Sequence, residues 1–460
     1  MFLILRKLLP TSLIGAMAEM TNILKPPESV RGITKLDKDL FQKTLNIAYL
    51  SLTDVKPALV LPLIRKYLLK LDNFKPVQHE DENTTIIFLN PQNVAAWSDF
   101  PPKTQSALKD VSVEESNLKS RDVTLKYDNF NAETVLKAVL PPDKEGLSSF
   151  TKIGHIVHVN LREHLLPYKE LIGEVLFDKI PGCRSVVNKT NAIDNTYRNF
   201  QMEVLKGEDD MLTTVKENNC TFKFDFSAVY WNSRLCTEHV RIVERLKASD
   251  VLFDVFAGVG PFALPCAKKK CHVYANDLNP ESFKWLEFNA KANKIDEKYF
   301  RAYNKDGRDF IKNDFKKKLP IHLKNKENVY VTMNLPAAAV EFLDCFVGLF
   351  EDDDLVDLTV SPVVLVYCFT KGEDYVSIAK DLVQRSFGFD VSERILEVFR
   401  VRTVSSMKEM MRVTVRLDRD ILSGRVGNKR KLEEGSESGT EKRRVRGSDG
   451  EEQEEGQQRL

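Results

Sequence analysis

The run DVFAGVGPF, residues 254–262, decides the fold. It closes an apolar strand, VLFDVF, and feeds a helix, so Gly258 and Gly260 sit where bare backbone can turn tightly and approach a ligand. Asp254 stands at the strand's end. The next strand, HVYAND, finishes on Asp277, nineteen residues after Gly258, where a carboxylate can accept both hydroxyls of a ribose. The third glycine of the dinucleotide pattern is replaced by Phe262 and Ala263, and Pro261 removes an amide that a pyrophosphate would use. The turn therefore suits an adenosyl ligand without phosphates, S-adenosyl-L-methionine (AdoMet). Asp306 in NKDGRDF ends the following strand and is placed to receive an adenine amino group, with Gly307 letting backbone approach the ring. The competing reading makes Asp306 a turn acid capping the helix that starts near Arg308.

Outward from this turn the pattern alternates. A helix runs from Cys236 to Leu246. After the glycine turn come a helix, HVYAND, a helix from Pro280, the strand VYVTMN, the helix AAAVEFLDCFVGLF, the strand VVLVYCF and the helix SIAKDLVQRSF. Two β-rich runs, ILEVFRVRTV and MRVTVRL, finish the series. Strands separated by helices of this length predict an α/β fold, a doubly wound and mainly parallel sheet over 236–420 with an antiparallel pair on one edge. Residues 148–235 read as a compact α+β domain: the strand HIVHVN, the amphipathic helix PYKELIGEVLFDKI stopped by Pro181 and Gly182, and the strand RSVVNK. Residues 27–145, with a helical pattern from Leu63 to Leu71 and a strand-like run from Ile86 to Leu89, read as an accessory domain without a chemical motif. The segment 421–460 has no aromatic residue and reads as a disordered charged tail. Its clusters NKRK (428–431) and EKRRVR (441–446) suit nuclear import or RNA contact as well as plain solvation. Residues 1–26 open apolar and basic, with the first acid at Glu19, a composition compatible with mitochondrial targeting.

With 460 residues, 42% of them hydrophobic, the chain exceeds one ordinary core, and wholesale disorder is excluded. Lys and Arg total 68 against 67 Asp and Glu, a net charge of +1, so any nucleic-acid site must be a local patch. Lys268 to Lys270 and KNDFKKKLPIHLKNK (312–326) are candidates for holding phosphates, although a solvated helix face is the plainer reading of each. Seven cysteines without a C-x-x-C pair argue against a disulfide framework or a zinc site, and no metal-ligand cluster is seen. No run approaches the roughly 20 apolar residues of a spanning helix, so no membrane partner is expected.

NLPA, residues 334–337, ends a strand on the side where such sheets bind ligands. The Asn334 amide can direct its carbonyl toward an amine or ring N–H of a base. Many nucleic-acid amino-methyltransferases carry Asn-Pro-Pro-aromatic here, whereas Leu335 and Ala337 replace the proline and the aromatic, so a stacking platform must come from elsewhere.

Seven blocks together resemble the eukaryotic and archaeal class I tRNA (guanine-37 N1)-methyltransferases: HVNLREHLLPYKELIGEVLFDKIPGCRSVVNK, NTYRNFQMEVLKGE, FDFSAVYWNSRLCTEH, DVFAGVGPFALPCAKK, ANDLNPESFKWLEFN, KDGRDF and MNLPAAAVEFLD. They cover most of residues 154–345. The resemblance implies a Rossmann-like class I methyltransferase domain preceded by an α+β RNA-recognition domain and a small N-terminal domain. It implies methyl transfer from AdoMet to N1 of guanosine 37, on a tRNA held by its anticodon stem-loop and body. Guanine N1 carries a proton at neutral pH, so the reaction needs a general base. The family's base resembles Glu238 in TEH, and Arg198 in TYR matches a guanidinium that stabilises negative charge on O6. Asn334 would orient the base and lie near the methyl donor, while His239 and Leu278 resemble positions lining the AdoMet pocket. The bland rivals are a first-turn helix acid for Glu238 and a phosphate contact for Arg198; Tyr230 and Trp231 either buttress the target base or, the reading preferred, fill the domain junction. An aminocarboxypropyl transferase of the wyosine pathway and a non-catalytic AdoMet-responsive RNA-binding protein are the alternative functions. We expect a monomer, divided among cytoplasm, nucleus and mitochondrial matrix.

Overall fold

Apolar residues gather into separate cores, and the chain divides accordingly into two units, residues up to Val215 with Lys223–Ala228, and Lys216–Phe222 with Val229 onward. The computed structural model describes residues 23–147, 149–194, 199–355 and 358–425. Residues 1–22 of the expected targeting segment, Arg198, and the basic clusters of the tail lie outside the described residues.

In the first unit, β1 (Lys43–Thr53), β2 (Val77–His79), β3 (Thr84–Phe88) and β4 (Leu118–Leu125) form an antiparallel sheet in the order β2-β3-β1-β4. The helix expected over Leu63–Leu71 instead occupies Pro57–Ile64. Proline at its first position favours that start, and beyond it Leu69 is drawn into extended pairing, its N–H donating to the Phe88 carbonyl at 3.0 Å. A second sheet runs β5-β6-β7-β8 from β5 (Thr151–Ile153), β6 (Ile156–Val159), β7 (Ser185–Asp194) and β8 (Asn199–Gly207). Residues 27–145 hold a core of their own around Leu50, Val60, Ile87 and Phe100, and a further cluster runs on into the next region: Val135, Leu136 and Val139 of helix Ala132–Val139 gather with Leu171, Ile172 and Val175 of helix Lys169–Lys179. The hairpin β9 (Leu212–Glu217) and β10 (Cys220–Asp225) follows.

The second unit is the predicted doubly wound sheet. Its strands are β11 (Val251–Asp254), β12 (His272–Asn276), β13 (Phe300–Tyr303), β14 (Val329–Met333), β15 (Val363–Lys371), β16 (Ile395–Ser405) and β17 (Lys408–Arg416). They lie in the order β13-β12-β11-β14-β15-β17-β16, the first five parallel and β17 antiparallel to both its neighbours. The last strand is thus threaded inside, and β16 forms the edge. Strands β11, β14 and β15 read as nearly unbroken apolar runs because helices cover both faces of a parallel sheet. The run read as helix AAAVEFLDCFVGLF is a 3-10 segment, Ala339–Phe346, ended before Gly348 takes a φ of +65°. Folded structure also extends past residue 420: Asp418 caps helix Arg419–Ser423, which buries Ile421 and Leu422 completely. Residues 421–425 therefore belong to the folded unit rather than to the tail. Among the described residues no helix is long and apolar enough to cross a membrane.

Candidate active site

Strand order reverses between β11 and β14, and a doubly wound sheet opens a crevice at the carboxyl ends of such strands. A buried bond stitches the two tips: Thr332 Oγ1 on β14 donates to Asp254 Oδ1 at 2.8 Å. Asp254 is fully buried. Burial pushes its carboxyl up to about 7, against the lowering pull of the Thr332 hydrogen bond and with a further upward contribution from Asp277. Its Oδ2 has no partner among the described residues.

The glycine turn follows directly. Ala257 N–H donates to the Asn276 carbonyl at 2.7 Å, tying the turn to β12, and Gly260 N–H closes back on Ala257 at 2.9 Å. The two glycines serve different ends. Gly258 takes a φ of +56°, and a Cβ added there would meet nothing within 4 Å, so its α-carbon faces open space. Gly260, at a φ of +98°, would drive a Cβ to 2.8 Å from Leu264 and Leu286, so it is needed for packing. Gly258 N–H donates to Asp277 Oδ2 at 2.8 Å, and Asn279 N–H donates to Oδ1 at 2.9 Å. Burial raises the Asp277 carboxyl above its ordinary value even though these bonds favour the anion. A side-chain hydrogen bond from Ser282 favours the anion as well. Leu278 beside it is 47% exposed, an apolar surface fit for the face of a purine. The Asn304 amide fixes this corner by donating to the carbonyls of Asp277 and Leu278 at 2.8 and 3.0 Å.

Asp306 does what its competing reading proposed: its Oδ1 accepts from Arg308 N–H at 2.8 Å and caps the short helix Gly307–Asp309. Gly307 is bare because side chains approach it, with Phe256, Phe342 and Val255 between 3.0 and 3.2 Å from where a Cβ would stand. Asn334 follows β14 directly, and its buried Oδ1 has no hydrogen-bond partner among the described residues. Such an orphaned acceptor costs free energy unless a donor reaches it.

Glu238 and His239 lie on helix Cys236–Arg245 and are 2% and 3% exposed. His239 Nδ1 lies 2.5 Å from Glu217 Oε1, and its ring meets Phe262 edge-on at 4.7 Å. Glu238 is fully engaged. Tyr367 Oη donates to Oε1 at 2.9 Å, Arg412 Nη1 donates to the same oxygen, and Arg241 Nη1 donates to Oε2. Phe262, four residues past the open Gly258, also touches the Tyr367 ring at 6.2 Å between centroids. The Glu238 cluster thus adjoins the glycine turn through a single aromatic side chain. Tyr230 is 57% exposed rather than packed, whereas Trp231 is buried against Phe222. Tyr367, Arg412, Arg241 and Glu397 were not singled out from the sequence. The available signal was a tyrosine and an arginine inside the apolar strands VVLVYCF and MRVTVRL, where a charged residue is rarely buried unpaired.

The residues present fit an adenosylmethionine: an open glycine, the Asp277 carboxylate at the end of the next strand, an exposed leucine and an unpartnered carboxylate oxygen on Asp254. Fold and crevice together define a class I AdoMet-dependent methyltransferase. Comparison with known proteins narrows this. The family described as TRM5/TYW2 methyltransferase domain matches residues 213–359, and the one described as TYW2 N-terminal domain matches residues 132–210. A Drosophila melanogaster protein named tRNA (guanine(37)-N(1))-methyltransferase is 47% identical over 408 residues, 87% of this chain and 88% of its own length. A Homo sapiens protein of the same name is 44% identical over 411 residues, 87% of this chain and 79% of its own. The crystal structure of Trm5b from Pyrococcus abyssi shares the fold at a TM-score of 0.56 with 22% identity, covering 80% of this chain and 98% of that one. The chain belongs to the tRNA (guanine(37)-N(1))-methyltransferase family.

Proposed function

We propose that this protein transfers a methyl group from AdoMet to N1 of guanosine 37 in tRNA. The observation that carries the reading is the buried, unpartnered Oδ1 of Asn334. It stands two residues beyond Thr332, whose hydroxyl ties β14 to the strand feeding the glycine turn. A buried acceptor at that place asks for an N–H donor, which the amino edge of a guanine supplies. AdoMet brings a methyl group on a sulfonium, an electrophile that needs no further activation. Gly258 and Asp277 would hold its ribose, with Leu278 against the adenine and Asp254 toward the methionine end.

The chain's own residues then manage the nucleobase. Asn334 orients it, and Glu238 takes the N1 proton, leaving the electron pair on N1 free to attack. Arg198, outside the described residues, is assigned by family resemblance to the charge that develops on O6. The tRNA would be held by its anticodon stem-loop and body, by a single copy of the chain. Nucleoside mass spectrometry of unmodified tRNA after reaction tests the whole reading: 1-methylguanosine at position 37 is expected, and an unmodified or differently alkylated base there rejects it. AdoMet labelled only on its methyl group separates the aminocarboxypropyl alternative, which would leave the label in methylthioadenosine. We also assign the protein to cytoplasm, nucleus and mitochondrial matrix, supported by the composition of residues 1–26 and of the tail. Fusing residues 1–26 to a reporter should carry it into mitochondria.

A further inference from the structure

Glu238 is an awkward base as it stands, because both of its oxygens are occupied and it is 2% exposed. The occupants differ in kind. Arg412 is itself 2% exposed and bridges two carboxylates, donating to Glu238 Oε1 from Nη1 and to Glu397 Oε2 from Nη2 at 2.9 Å. Removing a buried guanidinium from such partners would strand a charge. Arg241 is 40% exposed along its side chain and holds only Oε2, so its guanidinium can swing into water while Arg412 keeps the carboxylate paired.

The sheet explains the arrangement. Tyr367 on β15 and Phe399 on β16 are both register partners of Arg412 on β17, so the three form a row across one face. Helix Cys236–Arg245 lies against that row, with Glu238, Arg241 and Arg245 at helical spacing. Phe399 presents its ring to both guanidiniums, 4.9 Å from Arg412 and 4.3 Å from Arg241. Arg245 reaches Glu397 at 3.5 Å. The groups facing Glu238 are therefore Arg241 from its own helix, Tyr367 from β15 and Arg412 from β17. Glu397 on β16 and Arg245 stand one contact further away.

We propose that Arg412 and Tyr367 are positioning residues that keep hold of Glu238 Oε1, while Arg241 is a displaceable counter-ion that leaves Oε2 when the purine arrives. The inference rests on the assignment of Glu238 as the base. On displacement, the N1–H bond breaks, an O–H bond forms at Oε2, and the electron pair stays on N1. Glu238 is then neutral, and Arg412 still has Glu397 as its counter-charge, so protonation leaves no buried cation unpaired. Tyr367 remains a donor throughout, since burial and the neighbouring Glu238 carboxylate hold its hydroxyl well above the ordinary tyrosine range.

The test is the single-turnover rate of the full chain on unmodified tRNA as a function of pH, with AdoMet affinity measured by calorimetry. Tyr367→Phe removes one hydroxyl without changing the fold's volume. It should slow the plateau about tenfold and move the acid limb to higher pH, because a carboxylate that loses a donor binds its proton more tightly. Because its guanidinium has already left in the complex, Arg241→Met should leave the single-turnover acid limb in place and move only the acid limb of kcat/KM, which reports the free enzyme, to higher pH. Arg412→Gln should give the same pattern as Tyr367→Phe, but it can fail to fold, so Tyr367→Phe carries the decision. A single-turnover acid limb that stays in place in Tyr367→Phe, or that moves in Arg241→Met, while Glu238→Gln abolishes turnover, overturns the positioning inference alone. Full turnover by Glu238→Gln overturns the base assignment and the inference with it.

Discussion

Asp254 and Glu238 are both buried carboxylates of the second unit, and they are treated in opposite ways. Asp254 has one bonded oxygen and one unpartnered, whereas Glu238 is held by two arginines and a tyrosine. Asn334, like Asp254, keeps a buried acceptor open. Vacant acceptors at strand tips mark where a ligand completes the protein's own bonding. A saturated carboxylate marks a group whose orientation is set in advance and whose use requires something to move. Phe262, which follows the glycine turn, touches His239 and Tyr367 on the Glu238 side.

The comparison breaks first if the two clusters do not divide their labour. Glu238→Gln should lower the single-turnover rate by about 10²–10⁴ with AdoMet affinity retained by calorimetry; a parallel loss of affinity would merge the clusters into one. Asn334→Ala should cost about 10² in the same rate. Its melting temperature should hold, because Oδ1 makes no bond within the described residues.

A pH series sharpens the Asp254 side. Its folded pKa, about 7, is raised above the ordinary 3.8, so the neutral form is favoured by folding. The contribution is fully present below the ordinary value and is lost as pH climbs through the raised one. Thermal stability without AdoMet should therefore fall between about pH 5 and pH 8 by of the order of 2 kcal/mol, and Asp254→Asn should flatten that slope in scanning calorimetry. The smallest effect separates the two glycines. Gly260→Ala should destabilise by about 1–3 kcal/mol through the contacts with Leu264 and Leu286. Gly258→Ala should cost about 1 kcal/mol of backbone strain yet weaken AdoMet binding, because its Cβ would point into open space that the ligand uses.

The glycine turn, the parallel alternation and the closing antiparallel pair are legible in the sequence because local pattern carries them. A positive φ selects glycine, and a strand buried on both faces reads as an apolar run. Asp277 is legible for the same reason, as the strand after the turn ends on it. The clamp on Glu238 is not, since Tyr367 and Arg412 stand 129 and 174 positions away and are adjacent only because β17 inserts between β15 and β16. Gly307 is visible as a residue type, but its reason, the packing of Phe256 and Phe342, depends on a tertiary approach. The cluster that joins the accessory and α+β regions likewise arises from helices that only the tertiary fold brings together.

The inner place of β17 bears on how this protein is made. A ribosome that has delivered everything through β15 has produced the glycine turn and the carboxylate ends of five parallel strands, but β15 still presents a bare edge. Glu238 at that stage lacks its deepest guanidinium. Only when Arg416 has emerged can the last strand slide between its neighbours and seal that edge. A message truncated upstream of it would therefore yield a chain with a sticky, unpaired strand rather than a slow enzyme, and quality-control proteases rather than kinetics would register the loss.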